Sequence, residues 1–222
     1  HGCAYCYARP THAFLGLSPG QDFESRIYAK HDAPSQLALE LAKPGYQPRM
    51  IALGTNTDPY QPVERRLELT RDILSVLSDF HHPVGIVTKS YLVTRDIDVL
   101  SSLAERNLVK VILSVTSLDR ELSRRLEPRA STPAKRLDAI RELSAAGIPA
   151  GVNFAPVIPA LNETELEAIF EAASEAGAVE AGYILLRLPL EIKVLFEEWL
   201  HLHLPDRADH VMSRMRDMHG GR

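Results

Sequence analysis

Twelve residues at the start of the chain, HGCAYCYARPTH, hold both of its cysteines, Cys3 and Cys6. Thiolates three positions apart can ligate a metal or a cluster, or exchange electrons as a dithiol. A c-type haem attachment needs histidine directly after the second cysteine, and Tyr7 stands there, so that chemistry is excluded. A redox pair should follow a strand and open a helix, whereas this one precedes a long α/β pattern. A tetrahedral zinc site could draw on His1, Cys3, Cys6 and His12. An iron–sulfur cluster needs three or four thiolates, so one more would have to lie ahead of His1.

A second set of polar residues falls at the ends of apolar runs. GTNTDPYQPVE delivers Thr55, Asn56, Thr57 and Asp58 after MIAL, with Pro59 and Pro62 preventing an immediate helix. Asp58 suits a loop cap as well as a ligand. Lys89 ends VGIVTK, where it needs solvent or an anion such as a carboxylate. Ser114 and Thr116 lie in VKVILSVT with Asp119 just after. Asn153 and Arg187 are polar groups within runs otherwise fit for burial, suited to a ligand contact or a structural hydrogen bond.

The runs themselves are MIALGT (50–55), VGIVTK (84–89), VKVILSVT (109–116), AGVNFAPVI (150–158) and EAGYILLRL (180–188). Each is nearly continuously apolar and reads as a buried strand of a parallel sheet. Between them, RRLELTRDILSVLSDF sets Leu67, Ile73, Leu74, Leu77 and Phe80 near one helical face. RDIDVLSSLAERN does so with Ile97, Leu100, Leu103 and Ala104. Thr132 and Pro133 open a helix that Gly147 stops; Asn162 with Glu165 forms a capping-box pattern ahead of a helix that Gly177 stops. LEIKVLFEEWLHLHLPDRADHVMSRMRDM reads as two helices parted at Pro205. Strands alternating with single helices make β/α units, either in an open doubly wound sheet or in a closed or partly closed barrel, with the site at the strand C-termini in both.

With 222 residues and 45% apolar composition, the chain can bury a sizeable core. No apolar stretch approaches the roughly 18 residues of a membrane span. Net charge is −4, which does not support nucleic-acid binding and leaves room only for a local basic patch. Two cysteines make no disulfide framework, so a cytoplasmic location is expected. The chain begins at histidine with neither a translation start nor a signal peptide, and is expected to be a fragment.

HGCAYCYARPTH resembles the second half of the Cys-x3-Cys-x2-Cys motif of the radical S-adenosylmethionine (radical SAM) superfamily, including Tyr5 before the final cysteine. The first cysteine of that motif would fall two residues before His1. YARPTHAFLGLSPGQDFES, ALGTNTDPYQPVE, IVTKS, SVTSLDRELSRRLEPR, GIPAGVNFAPVIPALN, GYILLRLPLE and HVMSRMRDMHGGR together resemble its spore photoproduct lyase-like branch. The resemblance implies a partial (β/α)6 TIM-like barrel whose first strand precedes this chain. It divides the chain into a core over 1–190, with a cluster loop at 1–12, and C-terminal helices over 191–222.

It further implies a [4Fe–4S] cluster held in part by Cys3 and Cys6, and reductive cleavage of SAM to a 5′-deoxyadenosyl radical that takes hydrogen from a substrate, in lyase- or oxidoreductase-type chemistry. An electron donor such as a flavodoxin or ferredoxin is implied as a partner. Tyr5, Thr55, Asn56, Thr57, Asp58, Lys89, Ser114 and Asn153 are the implied cofactor-binding residues: the loop at 55–58 for the SAM amino group, Lys89 for its carboxylate, Ser114 for a hydroxyl contact, and Asn153 with Ala155–Pro156 along the adenosyl site. Spore photoproduct lyase is similar but uses a further cysteine as hydrogen donor. None follows Cys6 here, so thymine-dimer repair is not expected and the substrate stays open.

Overall fold

The five apolar runs become five parallel strands: β1 (Ile51–Leu53), β2 (Val84–Thr88), β3 (Val109–Ser114), β4 (Ala150–Val157) and β5 (Glu180–Leu185). The structure, a computed structural model, describes residues 2–218, so His1 of the zinc alternative lies outside the described residues. Between and around the strands run α1 (Gln21–Ser25), α2 (Ala33–Leu41), α3 (Glu64–Leu67), α4 (Leu69–Asp79), α5 (Ile97–Ala104), α6 (Arg120–Leu126), α7 (Pro133–Ala145), α8 (Leu166–Glu175), α9 (Ile192–His203) and α10 (Pro205–Met218).

Strand order follows chain order, β1-β2-β3-β4-β5. A doubly wound sheet reverses direction at a switch point, and this one never does. Uniform right-handed crossovers therefore put the helices on one face, as in a barrel. Burial agrees: Val84, Ile86, Val111, Leu113, Ala150, Val152 and Phe154 point into the helix-covered core, while Gly85, Val87, Lys110, Ile112, Asn153 and Ala155 on the other face are only part-covered. The expectation of strands buried throughout holds only for one face of β2, β3 and β4, and β1 at the sheet's edge has no fully buried residue. It fails outright for β5, which pairs with β4 only and is exposed at every residue, with Tyr183 59% and Ile184 52% accessible.

Helix stops at Gly147 and Gly177 and the break at Pro205 fall where expected. Thr132 caps α7 by accepting from Lys135 N at 3.4 Å. The helix expected across RRLELTRDILSVLSDF is two, because Glu68 turns to φ 53°, and Phe80 lies beyond the end of α4, 43% exposed. Asn162 occupies an N-cap position without capping; its buried side chain instead accepts from Ile158 N (2.6 Å) and donates to Thr116 O (2.6 Å) and Pro156 O (3.0 Å). Glu165 likewise accepts from Ser117 Oγ (2.7 Å) and Leu118 N (2.6 Å), fastening the loop after β3 rather than closing a capping box.

Two apolar clusters result. The larger joins the sheet to α4, α5, α7 and α8. The smaller gathers Leu126, Ile158, Leu161 and Leu186 with Phe196, Leu200, Val211, Met212 and Met215 of α9 and α10 around Cys3, Ala4 and Tyr5. The C-terminal helices thus pack against the cysteine loop. At the opposite edge, Gly54 has φ 96°, and a Cβ there would lie 2.0 Å from Val87 O. Gly54→Ala is expected to lower stability by about 1–3 kcal/mol, measured by chemical denaturation, because positive φ and the clash coincide. A variant as stable as the parent would show that the loop after β1 does not need this crossing.

Candidate active site

Cys3 and Cys6 sit on one turn, with Cys6 N donating to Cys3 O at 3.3 Å, which sets the two residues side by side. Both thiols are free of disulfide, Cys3 buried and Cys6 partly so. Arg9, itself buried, holds the turn by donating to Cys3 O through Nε (3.1 Å) and Nη2 (3.0 Å), and pairs with Glu24 at 2.6 Å. Ala4 N donates to Leu126 O at 2.9 Å, tying the turn to α6. Tyr7 OH donates to Thr55 O, joining it to the loop after β1.

The centre of the arrangement is Glu127, which no periodicity pointed to. Its carboxylate pairs with Arg136 on α7, both side chains fully buried, and accepts from Thr116 Oγ1 at 2.5 Å and from Tyr5 OH. Lys89 Nζ stands 4.0 Å from the same carboxylate and 5.9 Å from the centre of the Tyr5 ring. Arg136 also donates to Ser131 O (2.7 Å) and Ser114 O (2.9 Å), so one guanidinium spans two rim segments. Its only sequence signal was an arginine on the stripe of α7 that otherwise buries Ala139, Ile140 and Leu143. Glu127 gave none beyond following α6.

Burial opposes charge on Glu127, yet Arg136, then Lys89 and the hydroxyls of Thr116 and Tyr5, hold its carboxyl below the usual range. Burial, then Glu127, pushes the Tyr5 phenol well up. Burial first and Glu127 second push the Cys3 thiol up to about 12. A thiol so placed is protonated at neutral pH, and binding to a metal would release that proton.

Asp58 joins β1 to β2. It accepts from Tyr60 N (2.8 Å), Thr88 Oγ1 (2.6 Å) and Lys89 N (2.7 Å), so it does cap its loop, and it also fixes the end of β2. Behind it Tyr60 OH donates to buried Asp96 at 3.0 Å, and Asp96 pairs with Arg71 (3.0 Å) and Arg95 (2.8 Å). Thr55, Asn56 and Thr57 are exposed beside a shallow hollow lined by Ala52, Gly54 and Ile73. Ser114 is buried and Asn153 half-buried, register partners on β3 and β4, with Asn153 on the face away from the helices. The structure therefore brings Cys3, Cys6, Tyr5, Asp58 and Lys89 to one linked rim. Arg187 makes no ion pair among the described residues. His12 Nε2 lies 3.1 Å from Arg26 O, and no group of three or more His, Cys, Asp or Glu side chains is placed to hold a metal among the described residues.

A family model described as the Radical SAM superfamily matches residues 1–173. The chain belongs to the radical SAM superfamily. An uncharacterized protein of Mycobacterium tuberculosis is 35% identical over 221 residues, covering 99% of this chain and 64% of its own length. One from Methanocaldococcus jannaschii is 29% identical over 214 residues, covering 96% and 76%. The chain thus spans less than two thirds of the mycobacterial relative. Among solved structures, a spore photoproduct lyase mutant superposes with a TM-score of 0.62 at 20% identity, over 89% of this chain and 57% of that one. Streptococcus suis SuiB bound to S-adenosylmethionine gives 0.58 at 14%, over 93% and 45%. These likenesses agree with the partial barrel built from the sheet order.

Members of the radical SAM superfamily use a [4Fe–4S] cluster and SAM, and require a substrate and a reductant. The donor set here fits two positions of such a cluster: adjacent free thiols on a turn clamped by Arg9 and Tyr5, at the C-terminal rim of the sheet. No helix among the described residues is long and apolar enough to cross a membrane.

Proposed function

We propose that the whole protein is a radical SAM enzyme of the cytoplasm, reduced by a flavodoxin or ferredoxin. Cys3 and Cys6 hold two irons of its cluster, and a cysteine two positions before His1 holds the third. When bound, the cluster and SAM supply a 5′-deoxyadenosyl radical that abstracts hydrogen from the substrate. The observation that carries this reading is the cysteine turn itself, anchored to α6 through Ala4 and to Glu127 through Tyr5, on the rim where Asp58 and Lys89 also end their strands.

The chain's own residues then divide the work. Asp58 and the loop at Thr55–Thr57 take the SAM amino group, Lys89 leaves Glu127 for the SAM carboxylate, Ser114 gives SAM a hydroxyl contact, and Asn153 with Ala155–Pro156 lines the adenosyl site. Residues 1–190 form the catalytic core. The helices beyond 190 shield the cysteine turn from water, as their contacts with Cys3 and Tyr5 suit them to do.

The test is anaerobic reconstitution of the full-length chain with iron and sulfide, followed by dithionite and SAM. Release of 5′-deoxyadenosine is expected; a colourless protein that leaves SAM intact would sink the reading. Lys89→Ala is expected to weaken SAM binding by about tenfold or more while cluster absorbance persists, since a charge-assisted contact contributes about 1.5–3 kcal/mol. Unchanged SAM affinity in that variant would remove Lys89 from the carboxylate site.

A further inference from the structure

Beside the rim lies a second cleft, of about 140 Å³, lined by Tyr60, Pro62, Arg65, Ser90, Arg129, Ala130 and Ser131. It is far larger than the roughly 10–15 Å³ of free space that one water needs, and well below the roughly 300–1,000 Å³ of a pocket that encloses a whole ligand. Its size suits one polyatomic group of a larger molecule.

The lining states which group. Arg65 comes from α3 and makes no ion pair among the described residues. Arg129 comes from the loop between α6 and α7 and shares Glu24 (3.1 Å) with Arg9 (2.6 Å). One carboxylate against those two guanidiniums leaves one positive charge, and Arg65 adds another. Ser90 Oγ accepts from Leu92 N (3.2 Å) and Ser131 Oγ from Tyr91 N (2.8 Å). Each hydroxyl is thereby fixed as an acceptor toward the backbone, which leaves its proton to donate elsewhere. Two guanidiniums and two hydroxyls, from three chain segments, offer more donors than the two oxygens of a carboxylate take up. A phosphate has the oxygens, and arginine is suited to it.

We propose that this cleft is a phosphate subsite and that the substrate of the rim carries a phosphate or phosphodiester. Ser131 N donates to Lys89 O at 3.1 Å, so the cleft wall is continuous with the end of β2 where the SAM-binding reading places Lys89. The assignment of that phosphate to the substrate rests on the radical SAM reading; the site itself does not. It also reconciles phosphate recognition with a net charge of −4, since the positive charge is local.

The test is titration of the full-length chain, before cluster reconstitution, with inorganic phosphate followed by ³¹P NMR, and with a short single-stranded oligodeoxythymidylate followed by calorimetry. Saturable phosphate binding is expected, weakened about tenfold or more by Arg65→Ala, with a parallel loss in the charge-reversed Arg65→Glu. Arg65 is exposed, so both variants should fold, as circular dichroism can verify. Tighter binding of the oligonucleotide than of phosphate, lost in the same variants, identifies the source as a polynucleotide; equal or weaker binding identifies a small phosphorylated substrate. Absent or Arg65-independent phosphate binding overturns the proposal. So does a matching fall in SAM affinity of the reconstituted Arg65→Ala protein, which would make the cleft part of the cofactor site. Because the titration needs no cluster, its result stands apart from whether 5′-deoxyadenosine forms.

Discussion

Glu127→Ala is expected to destabilise the fold by about 3–5 kcal/mol, the range for removing one partner of a buried ion pair. The loss is large because Arg136 has no exposed route for its charge: its side chain is fully buried, and its remaining partners are Ser123 Oγ and the Ser114 and Ser131 carbonyls, which satisfy N–H groups without neutralising them. Tyr5 and Thr116 lose an acceptor in the same step. Against a typical total of about 5–15 kcal/mol, such a variant should unfold at much lower denaturant concentration. Glu127→Gln keeps an acceptor for both hydroxyls and should lose less. Denaturation midpoints of the two variants check the ranking; a loss below about 1 kcal/mol for Glu127→Ala would show that the pair does not hold the rim together.

Asp58→Ala should combine a structural and a functional loss. Three donors from two segments converge on this carboxylate, and two of them are main-chain amides at the ends of loops. Leaving even one such donor unsatisfied costs about 1–3 kcal/mol. The proposed consequence for function is that the loop at Thr55–Thr57 separates from the end of β2, so SAM affinity falls with stability. Asp58→Asn sharpens the point: it keeps an oxygen for Tyr60 N but can set an NH2 against Lys89 N. A variant that loses stability yet binds SAM as the parent does would confine Asp58 to the cap that its loop sequence already suggested.

Much of the fold was legible because it is local. Five apolar runs with helical stretches between them specify a parallel α/β sheet, although two of the four crossovers hold two helices where one was expected, and Gly147, Gly177 and Pro205 mark helix ends through backbone preferences that act within one turn. What escaped depended on neighbours. EAGYILLRL is apolar enough for a core, but at the edge of the described sheet its strand, Glu180–Leu185, pairs on one side only and stays exposed, while Leu186 just beyond it is buried. Asn162 has the residue type of a cap; the bulk of its hydrogen bonding goes to Thr116, Pro156 and Ile158, a choice made by where the loop after β3 lies.

The same division governs the site. Cysteine spacing, the Asp58 loop and Lys89 at a strand end are properties of short stretches, and they can be read from the residues alone, as can the charge balance. The meeting of Glu127 with Tyr5 across 122 positions and with Arg136 across nine, and of Arg65 with Arg129 in one cleft, exists only once the chain is folded. A charged residue is buried only when distant groups compensate it, and those partners are chosen by the crossover connections of the sheet. No periodicity within a window of one helix or strand records that choice.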